Sequence, residues 1–400
     1  MRVLQLCHKP PCPPVDGGSK AMHNLTTGLL KAGHEVVVRC ISTPKHPMRT
    51  GEIPEAYRRS TDVRAVFVDT SLNIVDAFTD LITADNYNLS RFFSPDMDIE
   101  LIRTLSGSRF DIILLESLFM TPYIATVRRY TQAPIVLRSH NLEHVVQERI
   151  AQGERNPLKR PYRRFLAKQL RDHELAVLER IDGVAAISSS DLAHFRAQHA
   201  ELPMCTIPFG VDIEAYPLQP WPDGAPTCFH LGSMDWLPNE DGIRWLLDEV
   251  WPRAIAERPG LRLELAGNQM PQDLLEAEIP GVRIRGRVPD ARQFMEEGQI
   301  MVVPLLSAGG MRVKIVEGMA LGKAVLSTTI GAEGIEAEDG RQMILADGPE
   351  AFAKALVRTH DDPAGTRAIG EAARQLIAER YDDRRIVADL IAFFEQLMGK

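Results

Sequence analysis

Residues 298–328, GQIMVVPLLSAGGMRVKIVEGMALGKAVLST, carry two short apolar runs, 300–304 and 324–328, on either side of a helical pattern over about 311–321. Two buried strands joined through a helix make a parallel strand–helix–strand unit. Gly309 and Gly310 fall where the helix should begin, in a small-residue loop with Ser307 and Ala308. Free backbone N–H groups and the positive end of the helix dipole meet there, beyond the carboxyl end of the first strand. Arg312 and Lys314 follow as two permanent cations, and Glu317 interrupts an otherwise apolar helix one turn later. A plain turn with a weak surface ion pair between Lys314 and Glu317 would use the same letters. A nucleoside diphosphate uses them more fully. Its phosphates would take the cations and N–H groups, and its vicinal ribose hydroxyls would donate to Glu317.

Working outward, the 400 residues exceed what one ordinary core organises, so two domains are expected. A hydrophobic share of 44% and a charged share of 25% fit a soluble globular chain. The formal net charge of −8 argues against nucleic acid as a partner. No apolar run reaches the roughly 18 residues of a membrane span. The N-terminus, MRVLQLCHKPPCPP, reads as a strand and a proline loop rather than a signal peptide. Five scattered cysteines without ligand spacing point to reduced thiols, a cytoplasmic setting and no metal site.

The first half alternates strands and helices. A strand at 2–7 leads through a proline-rich loop to Asp16-Gly17-Gly18, with Ser19 as the expected N-cap of a helix to about Lys31. Gly17 and Gly18 either make a simple turn or let a ligand approach the backbone. No GxGxxG pattern follows the strand, so a dinucleotide cofactor is not expected. Residues 43–108 have little period, and 72–94 read as variable loops and short helices. Strands return at 110–115 and 133–138, and the second ends at His140, on the edge where open α/β sheets place ligands. His140 is either a ligand contact or a structural histidine, while Glu143 and His144 belong to the next helix. Residues 155–171 hold seven basic side chains and no acidic one. Tyr162, Phe165, Leu166 and Leu170 give that helix an apolar stripe. It is either an ordinary packed helix with a solvated basic face or a peripheral contact for anionic membrane.

A stiff, helix-free connection rich in proline, 208–226, makes the best boundary, giving domains 1–208 and 209–383. The second half restarts the alternation at 227–231, with Gly232 in the loop that follows. Strands at 261–266 and 281–286 come next, and Val288 lies just past the second. The last helix, 384–400, is expected to cross back onto the first half, with Ile386, Leu390, Phe393, Phe394 and Leu397 at helical spacing. The architecture is therefore α/β, two Rossmann-like parallel-sheet domains facing across a cleft.

The order of Gly17-Gly18, GHEVVV (33–38), His140, IPFGVD (207–212), LGSMDWLPNEDG (231–242) and GGMRVKIVEGMALGKAVLSTTIGAEGI (309–335) resembles the group 1 retaining glycosyltransferases of GT-B fold over nearly the whole chain. The resemblance implies that Glu317 holds the nucleotide ribose and that Arg312 and Lys314 sit by the donor diphosphate with Gly309, Gly310 and Met311. It implies that Gly17 and Gly18 lie beneath phosphate and acceptor, and that His140 lies near the donor sugar. Backbone near Val288 would meet the base, and Gly232 would line the donor loop. Two departures stand out. Many members carry a second glutamate eight residues before the Glu317 position, where this chain has Gly309. Many also carry Arg and Lys in the loop that here spans 233–242 and has neither.

The implied activity is transfer of a sugar from a nucleotide-sugar donor to a sugar or lipid-linked sugar acceptor in cell-surface polysaccharide synthesis. No cofactor or metal is expected, and the implied place is the cytoplasm or the cytoplasmic face of the membrane. A nucleotide-sugar epimerase and a non-catalytic nucleotide-sugar-binding protein are the two alternatives.

Overall fold

A computed structural model of the chain describes residues 1–70, 87–153, 156–157, 159–218, 220–221, 224–307 and 309–399. Most of the expected insertion at 72–94 therefore lies outside the described residues, as do Arg155, Pro222 and Ala308. The chain divides into two compact units. One comprises Met1–Gly210, Gly309–Met311 and Asp383–Lys400, the other Val211–Ala308 and Arg312–Asp382.

The first unit has a parallel sheet of β1 (Arg2–Cys7), β2 (Glu35–Ser42), β3 (Arg64–Phe67), β4 (Ile112–Glu116), β5 (Ile135–Ser139), β6 (Gly183–Ala186) and β7 (Met204–Thr206). Its order is β3-β2-β1-β4-β5-β6-β7. Leu4 and Leu6 of β1 join one apolar layer with Ile113, Leu115 and Leu137. Val3 and Cys7 join the other with Met22, Leu25 and Leu29 of the helix Gly17–Lys31. This period of two, apolar on both faces, is why the strands read as continuous hydrophobic runs. The last helix, Asp383–Leu397, completes the second layer with Ile386, Val387, Leu390, Phe393 and Phe394. Each such side chain contributes about 1.5–3 kcal/mol on burial, far more than helix propensity supplies.

The second unit has a parallel sheet of β8 (Cys228–Leu231), β9 (Leu263–Ala266), β10 (Val282–Gly286), β11 (Ile300–Val303), β12 (Ala324–Ser327) and β13 (Ile344–Leu345). Its order is β10-β9-β8-β11-β12-β13. Counted from its own first strand, each sheet contains the doubly wound order 3-2-1-4-5-6, and the first adds a seventh strand, β7, beyond the sixth. The direction of winding reverses between β1 and β4 in one sheet and between β8 and β11 in the other. Ligands bind such sheets outside the strands' carboxyl ends at that reversal.

Several local expectations change. The first helix begins at Gly17, not after Ser19, because Asp16 is the N-cap. Asp16 Oδ1 accepts from the Ser19 amide at 2.8 Å, and Ser19 Oγ accepts from the Asp16 amide at 2.9 Å. Ser19 is the reciprocal partner in a capping box, so Gly17 and Gly18 form the first helical turn rather than a loop. The helix after β11 is Val313–Ala320, with Arg312 in the N-cap position and Gly310 turning the chain at φ +69°. Asp96 and Asp98 fall within the stretch 43–108 that shows little period, yet their place is regular. They sit in the first turn of the helix Pro95–Gly107, where the dipole favours carboxylates. The boundary segment is not wholly helix-free, since Ile213–Ala215 forms a 3₁₀ turn whose first amides Asp212 caps. On the basic helix, Arg160–Val177, Leu170 is buried, but Tyr162 and Phe165 are 41% and 40% exposed. The expected stripe is thus split between core and surface. Among the described residues no helix is long and apolar enough to cross a membrane.

Candidate active site

In the second unit the chemistry gathers at the β8–β11 reversal. Gly232 follows β8, and Arg312 holds the N-cap position of the helix that follows β11, while Gly309–Met311 group with the first unit. Lys314 Nζ donates to Asn239 Oδ1 at 2.9 Å, and Asn239 Nδ2 donates to the Ser233 carbonyl at 2.9 Å. A Cβ on Gly232 would lie 2.7 Å from Asn239 Nδ2 and 2.8 Å from His230 Nε2, so no larger residue fits without displacing that pair. The Arg312 guanidinium lies over the Trp236 ring, 5.9 Å from its centroid. Both cations therefore reach the 233–242 stretch, the one that carries no Arg or Lys of its own.

Lys314 is not the permanent cation its letter suggests. Burial, with Arg312 adding repulsion, lowers its ammonium pKa to about 7. The N-cap residue Arg312 makes no side-chain cap bond to the Val313–Ala320 helix, and the Ile315 amide donates to the Arg312 carbonyl at 2.9 Å. An anion placed there would meet N–H donors and two cations, and would restore the charge on Lys314. Glu317 is 6% exposed and accepts from the Tyr216 hydroxyl at 3.1 Å. Arg292 stacks over the Tyr216 ring at 5.0 Å, and Arg374 donates to the carbonyls of Tyr216 and Ala320. Val288 is half-buried in the loop after β10.

In the first unit a second cluster gathers at the ends of β1, β4 and β5. Glu116, fully buried as the last residue of β4, accepts from Gln5 Nε2 at 2.8 Å and from Arg138 NH1 at 3.1 Å. His140 Nε2 lies 2.7 Å from its Oε2, and His8 Nδ1 lies 2.9 Å from its backbone carbonyl. Burial alone would raise the Glu116 carboxyl, but Arg138 and the bonds from His140 and Gln5 outweigh it and hold it at about 2. Burial lowers both histidines. Lys9 helps bring His8 to about 3, and Arg138 opposes a proton on His140. Ser117, next in chain, has φ +93° and ψ +154°, a conformation that costs a non-glycine residue about 1–3 kcal/mol. Lys9 Nζ bonds Asp16 at 2.7 Å and would lie 2.8 Å from a Cβ on Gly18.

The sequence singled out Arg312, Lys314, Glu317, Gly232, Val288, His140, Gly17, Gly18 and Gly309–Met311. The second unit brings Lys314 together with Gly232 through Asn239, and holds Glu317 on Tyr216. The first unit brings His140 to Glu116, while Gly17 and Gly18 lie on the helix after β1. Sequence reading missed Glu116, His8, Lys9, Arg138 and Tyr216. Strand register pairs Glu116 with Arg138, the loop after β1 carries His8 and Lys9, and the connection after the Ile213–Ala215 turn carries Tyr216.

Two doubly wound parallel-sheet domains on one chain are the GT-B architecture. Residues 15–215 match the model of Glycosyltransferase Family 4, and residues 225–362 match that of Glycosyl transferases group 1. The chain belongs to this glycosyltransferase family. Phosphatidyl-myo-inositol mannosyltransferase of Mycolicibacterium smegmatis is 26% identical over 229 residues, which is 54% of this chain and 58% of that one. The chain spans about half the length of the curated relatives it matches, 44% and 58%. Among solved structures, sucrose-phosphate synthase from Thermosynechococcus elongatus superposes with a TM-score of 0.74 at 17% identity, covering 100% of both chains. Anabaena HepE, solved with UDP, superposes with a TM-score of 0.67 at 16% identity over 99% of this chain and 100% of that one.

Proposed function

We propose that the protein transfers a sugar from a nucleoside diphosphate sugar to an acceptor hydroxyl, with retention at the anomeric carbon and without a metal. One observation carries this reading: Lys314 and Arg312 both reach the Gly232–Asn239 stretch beside an uncapped helix start at the winding reversal. The anomeric C–O bond breaks, and the diphosphate leaves with the bonding electrons. Arg312, Lys314 and the helix amides stabilise that charge, and such fixed donors are the principal catalytic device at a developing anion. The acceptor oxygen bonds to the anomeric carbon and gives its proton to the leaving phosphate oxygen on the same face. Glu317, held by Tyr216, accepts from the ribose, and backbone near Val288 meets the base. The segment Gly309–Met311, without a glutamate, leaves the sugar's hydroxyls to Asn239 and backbone amides. Of the first unit's residues, Gly17 and Gly18 serve phosphate and acceptor, and His140 serves the donor sugar.

The acceptor in this proposal is a sugar or lipid-linked sugar of a cell-surface glycoconjugate, reached from the cytoplasmic face with the Arg160–Val177 helix against anionic lipid. The mannosyltransferase relative, named for a phosphatidylinositol substrate, supports a lipid-borne acceptor. Exposed Tyr162 and Phe165 among basic side chains support the contact.

The test is a thermal-shift screen of UDP, GDP, ADP and dTDP, followed by transfer assays with excess chelator. A ligand bound only by the native state raises the melting temperature. HepE was solved with UDP, which makes UDP the first to try. One stabilising nucleotide and chelator-resistant transfer are expected. Loss of turnover with chelator would remove metal independence, and binding without transfer to any acceptor would remove the enzyme.

A further inference from the structure

Three adjacent strands of the first sheet end in one hydrogen-bonded group: β1 runs into His8, β4 ends at Glu116, and β5 runs into His140. We propose that Glu116 is a positioning residue that holds His8 and His140 as neutral imidazoles of fixed tautomer, whose remaining nitrogens accept hydrogen bonds from the hydroxyls of a bound sugar. An ionised carboxylate and a backbone carbonyl accept but do not donate. The 2.7 Å contact to Glu116 Oε2 therefore requires a proton on His140 Nε2, and the 2.9 Å contact to the Glu116 carbonyl requires one on His8 Nδ1. A neutral ring then keeps its lone pair on the other nitrogen, Nδ1 of His140 and Nε2 of His8. The two rings stand edge to face with centroids 6.0 Å apart, so the lone pairs belong to one locality.

The surroundings keep both rings neutral. Arg138 and Lys9 are the cations that act on them. The Glu116 charge that would favour a second proton is shared with Arg138 and Gln5. Lys9 itself is tied to Asp16 at 2.7 Å. Two neutral acceptors do not suit a phosphate, which needs donors. They suit hydroxyl groups, which have protons to give. Thr26 Oγ1, 2.6 Å from Gln5 Oε1, orients the Gln5 amide so that its NH2 faces Glu116. The geometry thus fixes the protonation of a hydroxyl-reading pair through one residue, by the Glu116 carboxylate for His140 and by its backbone carbonyl for His8. Only the identity of the hydroxyl-bearing ligand rests on the glycosyl-transfer reading above.

The experiment is nitrogen-15 NMR of the histidine side chains in the full chain, assigned with His8→Gln and His140→Gln. Both rings should stay neutral from pH 6 to 8, with the proton on Nε2 of His140 and on Nδ1 of His8. Protonation of either ring at pH 7, or the opposite tautomer in either, overturns the proposal. Arg138 and His140 share Oε2 while Gln5 meets Oε1, so Glu116→Gln can keep its amide oxygen toward both donors. Glu116→Leu instead removes the acceptor, and His140 should lose its fixed Nε2–H tautomer while His8, held by a backbone carbonyl, does not move. An unmoved His140 in Glu116→Leu overturns the positioning role. If that variant does not fold, the wild-type tautomers decide alone. His8→Phe keeps ring volume but removes the acceptor. It should lower kcat/KM for transfer about tenfold, the scale of one neutral hydrogen bond, and leave affinity for sugar-free nucleoside diphosphate unchanged. A rise in donor KM assigns the donor's sugar, and a rise in acceptor KM assigns the acceptor's. Equal losses in transfer and in nucleotide affinity, or no loss in either, overturn hydroxyl reading. Wild-type protein that binds no nucleotide removes the donor reading and leaves the tautomer result standing.

Discussion

The two sheets share a strand order and differ in what they do with buried charge at the same topological place. At the end of β4, Glu116 and Arg138 are 0% and 1% exposed, and they neutralise one another within the first unit. At the end of β11, Lys314 meets an amide oxygen rather than a carboxylate and sits beside a second cation, Arg312. The first arrangement pairs acid with base and fixes side-chain geometry. In the second, burial and the neighbouring Arg312 disfavour the charged form of Lys314. The same winding thus supports a paired acid and base in one unit and two neighbouring cations in the other. The reason is local: β4 and β5 bring an acid and a base into register, Glu116 opposite Arg138, whereas β11 hands its chain to a glycine turn and a helix start.

Removing a cation should therefore have opposite consequences in the two units. Arg138→Met leaves the Glu116 carboxylate buried without its guanidinium and should destabilise the chain by about 3–5 kcal/mol. Urea denaturation checks this, and a change within experimental error would break the contrast. Lys314→Met removes an ammonium that burial already disfavours. The same denaturation should show stability retained or raised at pH 7, while turnover falls by two to three orders of magnitude, roughly 3–4 kcal/mol of barrier. A variant that unfolds, or that turns over normally, would make Lys314 structural. Smaller still is Tyr216→Phe, which takes one donor from Glu317. Nucleotide affinity should weaken by about 1 kcal/mol, read by calorimetry, with the melting temperature of the free chain nearly unchanged.

Much of this was legible from the residues. The apolar runs gave most strands of both sheets, and the Gly309–Glu317 segment marked the glycine turn and helix after β11. The Glu116 cluster was not legible. An acid after IILL reads as an exposed strand end, and its partners Gln5, Arg138 and His140 lie 111, 22 and 24 residues away. Tyr216 lies 101 residues from Glu317, in a segment that reads as linker. The first helix start was misread because Asp16 and Ser19 are both good caps and only their reciprocal bonds show which one leads. The charge state of Lys314 was misread because burial, not residue type, sets it.

That charge state gives the most direct test. A folded lysine near 7 lies far below its ordinary value, so the free site is largely neutral above pH 7 and must take up a proton when an anion binds. Affinity for nucleoside diphosphate should accordingly fall as pH rises from about 7 to 9, by up to roughly tenfold per unit. The measurement is titration calorimetry of the stabilising nucleotide at pH 8 in buffers of different ionisation enthalpy, for wild type and Lys314→Met. The account predicts uptake of about one proton per site by the wild type and close to none by the variant. Tight binding by the wild type with no proton uptake would contradict it.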